Sequence, residues 1–118
     1  MRQTFTFACA FLLLALFASC DMERRKSDAE LGLNPVQAKG RHVFDANCAR
    51  CHRPYSSRGL HGPSLRELYK KQYLRNGMPA NDERITEVIR RGHGQMPSFA
   101  DTLSDTQLDA LLEYLKTL

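Results

Sequence analysis

The chain has 118 residues, 42% of them hydrophobic and 25% charged, with a formal net charge of +4. That length is enough for one domain only. The basicity is mild, no Lys/Arg stripe interleaves with aromatics, and no nucleic-acid motif is present, which removes a nucleic-acid binder from consideration.

The N-terminus reads as an export signal. Arg2 precedes an apolar stretch, Phe5 to Ala18, of signal-peptide length and too short for a membrane span. It ends in Phe17-Ala18-Ser19-Cys20, and small residues before a Cys resemble the bacterial lipobox, with Phe17 where an aliphatic residue is usual. By that resemblance residues 1–19 are removed and Cys20 is lipidated. The alternative is ordinary cleavage after Ala18 or Ser19, which leaves Cys20 as an odd exposed thiol. Removal of 1–19 takes Cys9 and Arg2 with it and leaves 99 of the 118 residues at a formal charge of +3. Residues 20–33 are polar and charged without a sustained apolar face, which predicts a flexible, lipid-anchored tether. Its Arg24-Arg25-Lys26 run suits an anionic lipid surface, or is simply solvated. The folded domain is then 34–118.

The first helix has a sharp start. Asn34 is a good N-cap, Pro35 suits the first helical position, and Gln37 completes a capping box. Val36, Gly40, Val43 and Phe44 share one face, and a glycine there costs about 1 kcal/mol against alanine, which close approach of another helix would offset.

That helix runs into Cys48-Ala49-Arg50-Cys51-His52, the C-x-x-C-H pattern of c-type haem attachment. Two thiols at that spacing reach the two vinyl groups of one porphyrin, and the following His lies where a ring nitrogen meets the iron. A thioredoxin-like pair would sit near a βαβ pattern, and no strand alternation is found nearby. A zinc site would need two further ligands, for which His42 or His61 are the candidates, and would leave His52 unexplained. With one Cys lost, one lipidated and two on haem, no disulfide is expected.

Downstream, a less distinct helical stretch is predicted near Leu65–Leu74. A shorter helix follows over Asp82–Arg91, with Ile85, Val88 and Ile89 inward and Gly92 ending it. Ser104 and Gln107 then form a capping box for the last helix, where Leu103 can staple to Leu108 and Leu108, Leu111, Leu112, Leu115 and Leu118 line one face. Gly- and Pro-bearing loops join these elements, so the layout is all-α, three to four helices packed around one haem. A domain this small depends on that large apolar disc for its core, and the chain without it should fold poorly.

The second axial position has several candidates: Met78, Met96, His42, His61 and His93, with Met22 remote in the tether. Met96 and Met78 each precede a proline, so local pattern does not decide between them.

From Asn34 to Leu118 the chain resembles a small class I cytochrome c. Gly40 and Phe44 fall at its N-terminal helix positions, Cys48, Cys51 and His52 at its haem motif, and Gly62-Pro63-x-Leu65 at its G-P-x-L segment. Met96-Pro97 falls at its ligand loop, followed by a C-terminal helix with Leu111 and Tyr114. The resemblance implies Met96 as the axial ligand opposite His52 and the Pro63 carbonyl as acceptor for the other ring N–H of His52. It also implies that Gly40 and Phe44 cross Leu111 and Tyr114. Tyr55, Tyr69, Tyr73 and nearby arginines are candidate propionate partners.

These readings point to one covalent haem c in a single-electron carrier on the periplasmic side of a bacterial membrane, tethered through Cys20. No acid–base pair or activated nucleophile is evident, so the chain itself is not expected to be an enzyme. The alternative is a haem-bearing subunit of a multi-chain oxidoreductase, such as a small-molecule dehydrogenase or a sulfur-oxidising complex. An open iron site, as in a gas sensor or peroxidase, would require that Met96 not be a ligand. Arg50, Arg53, Arg58, Arg66, Lys70 and Lys71 lie on or near the haem segment with only Glu67 among acids over 48–77, which suits redox partners with an acidic docking surface.

Overall fold

Asn34 and Ser104 each accept a hydrogen bond from the backbone N–H three residues on, while Gln37 and Gln107 reach back to the cap N–H, so two helices begin on complete capping boxes. These are α1 (Pro35–Asn47) and α3 (Asp105–Leu115) of a computed structural model that describes Arg24 and residues 26–118. Between them lies α2 (Asp82–Arg91), capped by the Asn81 side chain, with Asp82 and Glu83 in its first turn and Arg90 and Arg91 in its last, the arrangement the helix dipole favours. Among the described residues there are no strands, only isolated bridges at Tyr73–Pro79 and His93–Met96. The fold is all-α. The export segment and Cys20 lie outside the described residues, and so does Met22.

The core sits where α1 crosses α3. Gly40 is the point of closest approach: a β-carbon there would lie 2.6 Å from the Ala110 carbonyl carbon and 2.8 Å from Tyr114 Cβ. The missing methyl lets the backbones touch, and the apolar side chains on either side close over the contact. Phe44 and Leu111 are wholly buried, and the Phe44 and Tyr114 rings pack at 5.5 Å between centroids, tilted by 58°. Each such side chain stabilises by roughly 1.5–3 kcal/mol, more than the ~1 kcal/mol that glycine costs the helix. Leu108, Leu111, Leu112 and Leu115 are buried as the helical spacing predicts, with Leu103 buried beside them.

Several expectations change. Val36, in the first turn of α1, is 51% exposed. Val88 is half-buried; Ile85 and Ile89 alone carry the inner face of α2. The stretch near Leu65–Leu74 is reduced to a three-residue 3-10 turn, Leu68–Lys70. Glu67 before it is left-handed (φ 55°, ψ 35°) and Lys71 after it is extended, so no longer helix can pass through. The Leu65 amide is instead committed to the Arg53 carbonyl at 2.9 Å, and buried Leu68 plugs the core from the turn.

The segment before α1 is partly folded. Residues 27–33 form consecutive turns with Leu33 against the core. Arg41 on α1, only 9% exposed, donates to Asp28 at 2.8 Å and to the Arg24 carbonyl at 2.9 Å. Burial works against its charge, but the bond to Asp28, with Tyr55 and Asp45 nearby, more than compensates and raises its pKa.

Gly40→Ala should destabilise the folded protein by about 3 kcal/mol, at the upper end of overpacking effects, because the new methyl meets backbone and not a flexible side-chain tip. In thermal unfolding of the holoprotein that is a fall of at least about 10 °C; an unchanged midpoint would contradict the close crossing.

Candidate haem site

The C-x-x-C-H run continues the turn of α1. Cys48 caps the helix, its N–H bonded to the Phe44 carbonyl at 2.7 Å, and its own carbonyl accepts from Cys51 at 3.0 Å and His52 at 2.9 Å. This turn keeps both thiols at the end of one helix, Cys48 half-buried and Cys51 exposed, with buried Ala49 between them. Neither is in a disulfide. Burial, helped by Cys51 and Asp45, pushes the Cys48 thiol up to about 12 and keeps it protonated at neutral pH.

His52 is held by the loop that follows. Its Nδ1 lies 2.8 Å from the Pro63 carbonyl oxygen. A carbonyl can only accept, so Nδ1 is the donor, and Nε2 is the ring nitrogen left to offer a lone pair to a metal. Gly62 lies flat against the imidazole: a β-carbon there would be 2.5 Å from Cε1, 2.9 Å from Nδ1 and 3.0 Å from Nε2. The loop is closed by Gly62 N–H to the Cys51 carbonyl (2.8 Å) and Leu65 N–H to the Arg53 carbonyl (2.9 Å), with Ser64 donating to the Ser56 carbonyl and Pro54 fully buried beneath.

Met96 lies in a second constrained loop. Its N–H and carbonyl pair reciprocally with His93 at 3.0 and 3.1 Å, and its side chain is half-buried against the core. The segment just after it is stapled to α2 twice: Phe99 N–H to the Ile89 carbonyl at 3.1 Å and Ser98 Oγ to the Arg90 carbonyl at 2.6 Å. The Arg90 guanidinium reaches the carbonyls of Ala100 (3.2 Å) and Leu103 (3.1 Å) and the carboxylate of Asp105. Nothing in the sequence marked Arg90 for this work, since a lone Arg in a last helical turn is ordinarily solvated. The packing of Gly62 on His52 was equally unsignalled, apart from its place in the G-P-x-L segment.

The other candidates lie elsewhere. Met78 sits in a tight turn, its carbonyl accepting from Leu74 at 2.7 Å, and is not among the side chains packed on the core. His42 is exposed, 3.5 Å from Asp28, and His61 and His93 are also exposed. The Tyr55 hydroxyl meets that of Tyr114 at 2.8 Å, and Tyr69 donates to Asp82 at 2.7 Å, so both phenols are engaged within the protein. That bond from Tyr69, together with Lys116 at 2.9 Å, lowers the Asp82 pKa. Tyr73 is 55% exposed.

Charge is segregated. Arg50, Arg53, Arg58, Arg66, Lys71 and Arg75 make no ion pair among the described residues, and Glu67 pairs with Lys70 at 3.1 Å. The cations of α2, Arg84, Arg90 and Arg91, and Lys116 at the end of α3 are all paired with carboxylates.

Two free thiols, an imidazole turned by its Nδ1 bond so that Nε2 is available, and a glycine whose missing Cβ makes room for that ring form a donor set suited to haem c. Among the described residues no three His, Cys, Asp or Glu side chains cluster as a structural zinc site requires.

Comparison with known proteins agrees. Residues 35–115 match the family described as cytochrome C oxidase, cbb3-type, subunit III. The chain is 35% identical over 78 residues to cytochrome c6 of Tetradesmus obliquus, covering 66% of this chain and 85% of that one. It is 30% identical over 115 residues to cytochrome c6 of Thermostichus vulcanus, covering 98% and 91%. To the cbb3-type cytochrome c oxidase subunit FixP of Azorhizobium caulinodans it is 36% identical over 104 residues, covering 83% of this chain but only 32% of that longer relative. The chain belongs to the class I c-type cytochromes, the small all-α electron-transfer proteins that carry one covalent haem c.

Proposed function

We propose that this protein is a single-electron carrier whose haem is bound through thioethers to Cys48 and Cys51, with His52 and Met96 as the two iron ligands. The haem supplies a one-electron couple between two oxidation states. The observation that carries the reading is the His52 Nδ1–Pro63 bond of 2.8 Å in a C-x-x-C-H run, because it leaves Nε2 as the free donor beside the two thiols. Pro63 thereby orients the ring and raises its basicity. Two staples to α2 and burial against the core support Met96 over Met78, since a ligand loop that cannot wander keeps its sulfur in place through many cycles. With His52 and Met96 both holding the iron, substrate would have no easy access to it, and the side chains would be asked only to hold still.

The location is periplasmic, with lipid on Cys20 as the membrane attachment. The support is the Phe17-Ala18-Ser19-Cys20 sequence after an apolar stretch. No described helix is long and apolar enough to cross a membrane. The tether is shorter than the polar sequence alone implies, because Asp28 and the Arg24 carbonyl are tied to Arg41. Redox partners present an acidic surface to the unpaired cations of 50–75. Exposed charges of this kind speed encounter without holding the complex long, which suits a carrier that must let go. A second reading, a haem-bearing subunit within a larger oxidoreductase, is favoured by the match to a family described as an oxidase subunit and by the FixP relative. Isolation of the native protein as a stable complex would select it.

Replacing Met96 and Met78 separately with Ala tests the ligand assignment. The sulfur-to-iron absorption band of the oxidised protein should vanish in Met96→Ala and persist in Met78→Ala; the opposite result reverses the assignment.

Cys20→Ser should abolish lipoprotein processing and release the protein from membranes. A wild-type protein found lipid-free by mass spectrometry would rule out the anchor.

The rate of electron transfer with an acidic redox protein should fall as salt is raised, because the Debye length shrinks from about 30 Å at 0.01 M to about 10 Å at 0.1 M. A flat or rising rate would remove the docking idea and leave the haem site untouched.

A further inference from the structure

Tyr114 is 1% exposed and lies at the crossing of α1 and α3, its ring against Phe44 and its Cβ beside Gly40. A phenol at that depth needs a partner, since a buried hydroxyl left unbonded costs free energy comparable to a lost hydrogen bond. The partner is the hydroxyl of Tyr55, at 2.8 Å. Burial raises the pKa of both phenols, so both are neutral and one donates to the other.

Tyr55 belongs to the loop that holds the proximal histidine. It follows His52 by three residues and lies inside the closure made by Gly62 to Cys51 and Leu65 to Arg53. The other side-chain hydrogen bonds of residues 53–66 stay within the loop or join it to Lys71. Among the described residues, Tyr55–Tyr114 is therefore the side-chain hydrogen bond that fastens this loop to the helix pair. Arg41 lies close enough to Tyr55 for each to affect the other's pKa, so the contact is embedded in the same polar cluster that ties down the segment before α1.

We propose that Tyr55 is a positioning residue for the axial histidine: its bond to Tyr114 fixes the 53–63 loop so that the Pro63 carbonyl stays in line with His52 Nδ1. The proposal rests on His52 as an iron ligand. The physical route is short. Hydrogen bonds weaken steeply as their angle departs from linear. A loop freed at Tyr55 moves Pro63 and Gly62 together, since they are adjacent, and the ring loses both its acceptor and the backbone pressed against its face. A weaker Nδ1–H bond makes the imidazole less basic and less electron-donating, which disfavours the oxidised state and moves the reduction potential upward. Tyr55 and Tyr114 thus couple the most rigid part of the fold to the electronic character of one ligand, and Tyr55 is engaged in this way and not with a propionate.

The test uses the holoprotein with Tyr55→Phe, Tyr114→Phe, the double variant, and Tyr69→Phe as a control that removes a different phenol bond, the one to Asp82. Three quantities are measured: the thermal midpoint, the reduction potential, and the NMR exchange rate of the His52 ring N–H. Tyr55→Phe should lower the midpoint, raise the potential and speed the ring exchange at least about fivefold. The double variant leaves no buried hydroxyl unsatisfied and should regain part of the lost stability, yet keep the fast exchange and raised potential. Tyr69→Phe should change stability alone. If potential and exchange return with stability in the double variant, or never move in Tyr55→Phe, the positioning role is overturned and the bond is purely structural. The wild-type His52 ring signals must also carry the large shifts of an iron-bound imidazole; ordinary shifts would overturn the ligand reading itself, an outcome distinct from the previous one.

Discussion

The contact of Gly40 with Ala110 and Tyr114 is the constraint from which the rest of this small structure is built. A ~100-residue domain buries too little surface to tolerate a loose core, so its two terminal helices must touch backbone to backbone. That contact brings Phe44, Leu111 and Tyr114 together out of solvent. It also sets where α1 ends, and hence where Cys48 and Cys51 emerge. The haem-attachment turn is the continuation of a helix whose position is fixed by α3, a segment more than fifty residues away in sequence.

The loops are held by a different kind of force. They carry few apolar side chains and many backbone polar groups, so their order comes from hydrogen bonds: Cys51, Arg53 and Ser56 carbonyls for the His52 loop, and Ile89 and Arg90 carbonyls for the Met96 loop. Each bond contributes only about 1 kcal/mol net, but several closing one loop leave it few alternative shapes. Rigid loops suit an electron carrier, because ligands that barely move between oxidation states keep reorganisation small. The helices give the protein its stability and the loops give the candidate ligands their aim.

Charge follows the same division. On α2 and α3 each cation (Arg84, Arg90, Arg91) and Lys116 just after α3 has a carboxylate within reach, and such exposed pairs contribute little to stability individually while leaving that surface electrically quiet. Among the described residues the loop half keeps six cations unpaired. The molecule is therefore electrically lopsided, with its positive field on the side of the thiols and His52.

Elements with strong local signals were legible in the sequence. Two capping boxes and the leucine face of α3 need only contacts within a few residues, and the C-x-x-C-H spacing states its chemistry by covalent reach alone. Segments whose conformation depends on distant partners were not. The stretch near Leu65–Leu74 has helical spacing, yet Leu65 is drawn to Arg53 and Glu67 turns left-handed, because closing the His52 loop constrains more backbone than one short helix would gain. Asp28 looked like part of a free tether until folding placed a nearly buried Arg41 beside it, a charge that needs a counterion. By sequence Tyr55 is one of several candidate propionate partners; only the helix crossing, which buries Tyr114, gives it a partner within the protein. Sequence by itself determined the three α-helices, the haem motif and the family, since these rest on local periodicity and covalent spacing. The tertiary structure decided which side chains support the motif, since hydrogen bonds between residues far apart in the chain exist only once the helices have crossed.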